Sequence, residues 1–104
     1  MIIFYSSQIQ SQLIIILDDK VFIMLTSAQI RGARAMLRWS ASKLSEISGV
    51  SLPTISRMEL AQGVPKSLST NLQAIQRALE DGGVIFIDED EEGPGVRLRK
   101  ARDK

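Results

Sequence analysis

The charged side chains are the residues of this sequence best suited to chemistry, and they are segregated along the chain. Residues 24–79 hold seven Lys and Arg residues against Glu46 and Glu59, which gives this region a net charge of +5. A basic region with so few acids is typical of a surface that binds polyanions. The seven bases are Arg31, Arg34, Arg38, Lys43, Arg57, Lys66 and Arg77.

The acidic side chains are concentrated further on. Residues 80–93 hold seven acids and no base, and residues 94–104 return to a net charge of +4. The run at 88–92 lacks the alternation, the central glycine and the terminal glutamate of a calcium loop, so we expect a solvated loop there. Because the carboxylates have no partnered base and no Gly-rich phosphate loop is present, we expect no enzymatic activity.

Several classes of protein are excluded by composition. The 104 residues include neither cysteine nor histidine, which removes thiol nucleophiles, zinc fingers, iron–sulfur sites and histidine acid–base catalysis. We therefore expect no cofactor and no metal. The length allows one domain with one modest core, and the lack of cysteine suits a reducing cytoplasm.

The first 23 residues differ from the rest. Two apolar, β-branched runs, 13–17 and 21–25, flank Asp18, Asp19 and Lys20, which predicts a β-hairpin. Neither run is long enough to cross a bilayer and neither has the flanks of a secretory signal, so we expect no membrane association. A second interpretation stays open, in which Met24 is the true start and residues 1–23 are an upstream extension of the reading frame.

From Thr26 onward the apolar spacing is helical. Thr26 or Ser27 is expected to cap a first helix that Trp39 closes, and Ser67 or Ser69 to start a fourth helix that ends at Gly82 and Gly83. Val84–Ile87 is predicted to form a strand, with Val96 and Leu98 on its partner and a frayed tail at 101–104. The expected inward side chains are Ile30, Ala33, Leu37, Leu72, Ile75, Ala78 and Leu79.

The segment 40–59 predicts two short helices joined by a tight turn. Ser40 caps the first helix, 41–48, with Leu44 and Ile47 inward, and Gly49 supplies its left-handed end. Val50 fills the angle between the helices. Ser51 caps the second helix, which has Pro53 in its first turn and Ile55 and Met58 inward. This is the specification of a helix-turn-helix, whose second helix can enter a DNA major groove.

Residues 29–79 resemble the Cro/XRE-type helix-turn-helix domain of phage repressors and small bacterial regulators. The resemblance is carried by Arg34, by Leu44 through Gly49-Val50-Ser51, by the run 54–59 (Thr-Ile-Ser-Arg-Met-Glu), by Gly63, and by Leu72, Ile75 and Leu79. The ending at 82–99 is similar to a compact bacterial subgroup in which a β-hairpin replaces the fifth helix. The implied fold is mainly α: a four-to-five-helix Cro/repressor-like domain with a short C-terminal β-hairpin and a possible N-terminal strand or hairpin.

The resemblance also implies which residues face DNA. On the second helix of the motif these are Ser51, Leu52, Pro53, Ser56 and Arg57, with the fork of Arg57 suited to a guanine edge or a phosphate. Ser40, Ala41 and Lys43 fall where the family contacts phosphates, and Lys66 lies in the loop that follows. Arg34 and Glu59 fall where the family forms an internal ion pair. Phage members often carry Gln in place of Ala41 and polar side chains in place of Leu52 and Pro53.

We therefore divide the chain into an apolar extension (1–23), a helix-turn-helix DNA-binding domain (24–81), and a C-terminal β-hairpin with a basic tail (82–104). The resemblance implies a cytoplasmic, nucleoid-associated transcriptional regulator that binds double-stranded DNA as a homodimer, most often as a repressor. Two other interpretations stay open: the antitoxin of a toxin–antitoxin pair, with a toxin as protein partner, and a protein-interaction module that kept the fold without specific DNA binding.

Overall fold

Helices make up most of the chain from residue 27 to residue 82. The computed structural model describes residues 2–3, 14–17, 20–22 and 24–100. Within them lie four helices, α1 (Ser27–Leu37), α2 (Ala41–Ser48), α3 (Leu52–Leu60) and α4 (Ser69–Gly82), followed by the antiparallel strands β4 (Val84–Ile87) and β5 (Gly95–Leu98). The prediction of a mainly helical fold with a C-terminal β-hairpin is confirmed.

The helix ends follow local hydrogen-bonding rules. Thr26 caps α1 in a capping box, in which its hydroxyl accepts from the backbone N–H of Gln29 and the Gln29 side chain accepts from the backbone N–H of Thr26. Ser40 and Ser51 cap α2 and α3 through their hydroxyls. Gly49 ends α2 at φ 79°, in the left-handed region that glycine adopts without steric cost.

The predicted start of α4 at Ser69 is confirmed, whereas α1 ends earlier than predicted. The N-cap of α4 is Leu68, which has no side chain able to accept a hydrogen bond, so neither Ser67 nor Ser69 serves as a cap. Helix α1 ends at Leu37, two residues before Trp39, because Arg38 takes the left-handed conformation (φ 58°) and its N–H bonds to carbonyls of the last turn. Trp39 itself packs against the core.

One core joins all four helices to the hairpin. Of the side chains predicted to point inward, Ile47 is the misplaced one: it is 45% exposed, at the rim of a shallow groove that Ala74 and Ala78 line on α4. Leu44, one turn earlier, takes the buried place on α2. The buried apolar side chains are Leu25, Ile30, Ala33, Leu44, Val50, Ile55, Met58, Leu72, Ile75, Ala78, Leu79 and Val84.

The C-terminal hairpin covers α1. Phe86 pairs with Val96 in register, and both pack against the core. Gln29, which is 4% exposed, donates from its Nε2 to the carbonyls of Ile87 (3.1 Å) and Gly95 (3.0 Å). The side-chain amide of Gln29 therefore bonds α1 to the end of the hairpin at which β4 and β5 are connected.

The N-terminal region contains a three-stranded antiparallel sheet in the order β1 (Ile2–Ile3), β2 (Ile14–Leu17), β3 (Lys20–Phe22). The pairing of β2 with β3 confirms the predicted hairpin, whereas β1 was not predicted. The second predicted run, 21–25, extends too far, since Leu25 lies beyond β3 and is buried in the helical core. The predicted turn residues Asp18 and Asp19 and the predicted frayed tail at 101–104 lie outside the described residues. Even α4, which at 14 residues is the longest of the described helices, is too short to span a bilayer.

Candidate nucleic-acid interface

Helix α3 has one buried side and one open side. Ile55 and Met58 are 0% and 2% exposed and fix the helix to the core. Pro53, Ser56, Arg57 and Leu60 recur at three- and four-residue spacing on the opposite side, and all four are exposed. We call these four residues the outer face of α3. Ser51, the N-cap of α3, and Leu52, its first residue, were also expected to face DNA, and both are exposed.

The connection between α2 and α3 is short and well bonded. Val50 is 5% exposed and fills the angle between the helices, as predicted. The Ser45 hydroxyl donates to the carbonyl of Val50 at 2.6 Å, and the Ser48 hydroxyl accepts from the Val50 N–H at 3.1 Å. Because both polar groups of Val50 are bonded to α2, the start of α3 is fixed relative to the end of α2.

The N-terminus of α2 is exposed to solvent, except for Ala41, which contacts the core. Ser40 and Lys43 are exposed, and the Ser40 hydroxyl accepts from the backbone N–H of Lys43 at 3.0 Å. Ala41 is half-buried and packs against the core. A helix N-terminus with an exposed hydroxyl and a lysine in its first turn is suited to a phosphate.

A line of hydrogen bonds runs along α3. The Ser51 hydroxyl donates to the hydroxyl oxygen of Thr54 at 2.8 Å, and Nη2 of Arg57 donates to the same oxygen at 3.2 Å. Thr54 belongs to the run 54–59 that carries the resemblance, but it is not among the predicted site residues. The three-residue spacing of Ser51, Thr54 and Arg57, which places them on neighbouring turns, is the signal that identifies it.

Arg34 and Glu59 form the ion pair that the resemblance implies. Arg34 donates to both carboxylate oxygens of Glu59, through Nε at 2.8 Å and Nη2 at 2.9 Å, and its Nη1 donates to the carbonyl of Trp39 at 2.9 Å. The hydrogen bond to Glu59 raises the pKa of the Arg34 guanidinium above its usual value, although partial burial acts against it. The pair joins α1 to the end of α3 and to the segment before α2.

Two further residues of α1 hold the end of α3 and were not predicted. The hydroxyl of Ser27, which is 1% exposed, donates to the carbonyl of Met58, and its backbone N–H donates to the carbonyl of Gly63. Arg31 donates from Nη1 to the carbonyl of Glu59. The last carbonyls of a helix have no partner inside it, and α1 supplies donors to them here.

Lys66 is exposed in the connection between α3 and α4, directly after the buried Pro65. The same connection exposes Val64 at 41% and Leu68 at 70%. The structure thus places the predicted residues in three groups: the start of α2, the length of α3, and the connection that follows. Residues 24–100, as described, hold no group of three or more side chains able to ligate a metal ion.

No model of a known protein family matches the chain, and no curated protein matches it.

Proposed function

We propose that this protein is a sequence-specific DNA-binding transcriptional regulator with a Cro/repressor-like helix-turn-helix formed by α2 and α3. The observation that carries the proposal is the division of α3: Ile55 and Met58 anchor it, while Ser51, Leu52, Pro53, Ser56 and Arg57 are all exposed. A helix that is anchored to the core by its buried side and exposed on its outer face fits the geometry of a helix that enters the major groove.

Charge and helix-end chemistry support the same proposal. Residues 24–79, which include both helices, carry a net charge of +5. The exposed Ser40 and Lys43 at the start of α2 are suited to a phosphate beside the groove, and Lys66 to another. Phosphate contacts of this kind set the register of a protein on DNA and make its affinity depend on salt.

The proposed active form is a homodimer that represses transcription in the cytoplasm by occluding a promoter. One protomer presents one such helix, and paired half-sites about 34 Å apart require two. The C-terminal sheet of the described chain has two strands, so each of them has an edge without a partner strand. Strand pairing across a two-fold axis at such an edge is the route we propose for dimerisation.

The test is a fluorescence-anisotropy titration against the duplex immediately upstream of the coding sequence, with a scrambled duplex as control, at two salt concentrations. We expect the upstream duplex to bind more than about a hundredfold tighter, with log K falling steeply and linearly with log salt. Equal, weak binding to both duplexes that does not respond to salt would contradict the proposal and favour a protein-interaction module.

A pair of arginine variants connects the binding to α3. Arg57→Ala should weaken binding to the upstream duplex by about tenfold or more, in line with the loss of a bidentate contact. Arg77→Ala removes an exposed arginine of the same charge from α4 and should leave the affinity within about twofold. Circular dichroism of both variants checks that the fold is retained.

A further inference from the structure

The side chain of Arg57 is held against α3 and does not extend freely from it. Its Nη2 donates to the hydroxyl oxygen of Thr54 at 3.2 Å, and that oxygen also accepts from the Ser51 hydroxyl at 2.8 Å. Ser51 in turn accepts from the backbone N–H of Thr54 as the cap of the helix. The guanidinium is therefore directed toward the first turn of α3, one helical turn before Arg57 itself.

This direction distinguishes two uses of an arginine on DNA. An arginine that clamps a phosphate extends away from its helix to the wall of the groove, whereas one that contacts a base stays above the groove floor, where the N-terminal residues of such a helix lie. The bond to Thr54 favours the second use. The rest of the planar fork of Arg57 matches the O6 and N7 acceptors of a guanine.

Pro53 lies one turn before Arg57 on the outer face and is exposed. It has no backbone N–H and no polar side-chain atom, so it offers a base edge an apolar contact alone. The apolar group that the major groove presents is the 5-methyl of thymine. The Cβ atoms of residues four apart on a helix are about 5–6 Å from each other. At a rise of about 3.4 Å per base pair, this distance lies between one and two base-pair steps.

We propose, on the basis of the DNA-binding function proposed above, that Thr54 is a positioning residue that presents Arg57 to a guanine and that Pro53 contacts the methyl of a neighbouring thymine. The half-site then contains a G·C pair within about two base pairs of a T·A pair. Thr54 acts through Arg57 and sets the base preference, while Pro53 supplies a second determinant that needs no hydrogen bond.

The experiment begins with selection of bound duplexes from a library with a randomised central region. In the selected duplex, each guanine is replaced in turn by 7-deazaguanine, which lacks N7, or by inosine, which lacks the minor-groove amino group. At one position, 7-deazaguanine should lower the affinity of the unaltered protein by about tenfold. Inosine at that position should change it by less than about threefold, since the major-groove edge is intact.

Two substitutions of Thr54 separate positioning from general structure. Thr54→Val removes the hydroxyl at nearly constant shape and should reduce the preference for guanine over 7-deazaguanine to within about twofold. Thr54→Ser keeps the hydroxyl and should therefore keep the preference for guanine over 7-deazaguanine. Melting temperature and salt slope should be similar in both variants. A residue that acted on stability alone would change the melting temperature without changing the preference between the two bases.

Replacement of thymine by uracil tests Pro53, because it deletes one methyl group and nothing else. At a position within two base pairs of the contacted guanine, we expect a loss of about fourfold in affinity, the equivalent of one buried methyl group. Pro53→Ala should remove this difference and leave the response to 7-deazaguanine in place.

Two results would overturn the inference in different ways. A selected duplex that binds tightly but tolerates 7-deazaguanine at every position, while a neutral methylphosphonate abolishes the contribution of Arg57, would make Arg57 a phosphate clamp and leave DNA binding intact. Failure of the selection, with no response of affinity to salt, would reject the DNA-binding function and this inference together.

Discussion

Arg34 of α1 holds both carboxylate oxygens of Glu59, at 2.8 Å and 2.9 Å, at the last turn of α3. The two side chains are 26% and 11% exposed. Such a pair contributes less through its net attraction than through the penalty for breaking it, since either partner alone would be a poorly solvated charge. The contact therefore fixes the direction of α3 relative to α1.

Removal of one partner should be costly. We expect Arg34→Ala to lower the free energy of unfolding by about 3 kcal/mol, the lower part of the range for a broken buried pair, because Arg34 keeps some contact with water. Urea denaturation measures the change. Arg97→Ala, on the exposed part of β5, is the matched control and should stay within about 0.5 kcal/mol. A variant Arg34→Ala as stable as this control would show that the pair does not hold α3.

A second prediction concerns the amide of Gln29. Gln29→Glu keeps an acceptor for the N–H of Thr26 but turns an oxygen toward the carbonyls of Ile87 and Gly95. The free energy of unfolding should fall by about 3 kcal/mol, since two partly buried acceptors lose their donor and face a negative charge. Hydrogen exchange should accelerate in the hairpin before it does in α2 and α3. Gln62→Glu, exposed in the connection after α3, makes the same chemical change and should have little effect.

The close approach of Gly82 to Trp39 gives a third prediction. A Cβ added at Gly82 would lie 2.7 Å from Cη2 and 2.8 Å from Cζ2 of Trp39, and 2.9 Å from Cδ1 of Leu37. Gly82→Ala should destabilise the protein by about 1–2 kcal/mol through this overlap, although alanine is the better helix former. Trp39 is the sole tryptophan, so its fluorescence should shift as the ring moves. In a Trp39→Phe background, where those ring atoms are absent, the same substitution should cost less, because the overlap with the end of the flexible Leu37 side chain is relieved more easily.

The dependence of stability on pH supplies a fourth prediction. Burial raises the pKa of the Glu80 carboxyl above its ordinary 4.5, and Asp81 acts in the same direction against a hydrogen bond from Gln76 and the charge of Arg99. The ionised form therefore destabilises the fold, and that penalty is relieved as the pH falls through the raised pKa toward 4.5. Burial raises the pKa of Asp88 as well, with the same sign.

Glu80→Gln should accordingly raise the melting temperature at pH 7 and flatten the rise that the parent protein shows on mild acidification. The carbonyl oxygen of the new amide still accepts from Gln76, which donates to Glu80 at 3.1 Å. Glu46→Gln, exposed on α2, controls for the loss of one negative charge. A fall in melting temperature at pH 7 would mean that the charge of Glu80 stabilises the fold.

The bounds of α2 and the inner side of α3 followed from the sequence because their determinants are local. Ser40 and Gly49 act within one turn of the helix that they delimit, and the predicted range 41–48 matches the observed one. Ile55 and Met58 are buried as their spacing predicts. The exposure of Arg57 follows from the same pattern, since the residues opposite a buried pair must face outward.

What the sequence did not reveal depends on contacts between distant residues. Gln29 is an ordinary polar residue until the hairpin, about 60 residues later, brings two carbonyls to it. Spacing places Ile47 inward with Leu44, but only the position of α4 decides which of the two is covered. The left-handed Arg38 carries no local signal, because neither glycine nor asparagine stands there.

The division of α3 into an anchored side and an outer face has an evolutionary consequence. Pro53, Ser56, Arg57 and Leu60 are exposed, whereas Ile55, Met58 and Glu59 hold the helix in place. Substitutions among the first group leave the anchoring contacts intact, so natural selection can vary them almost independently of thermal stability. Under the proposed DNA-binding function, a gene duplicated from this one could diverge in its target through a handful of codons while its product kept the same scaffold.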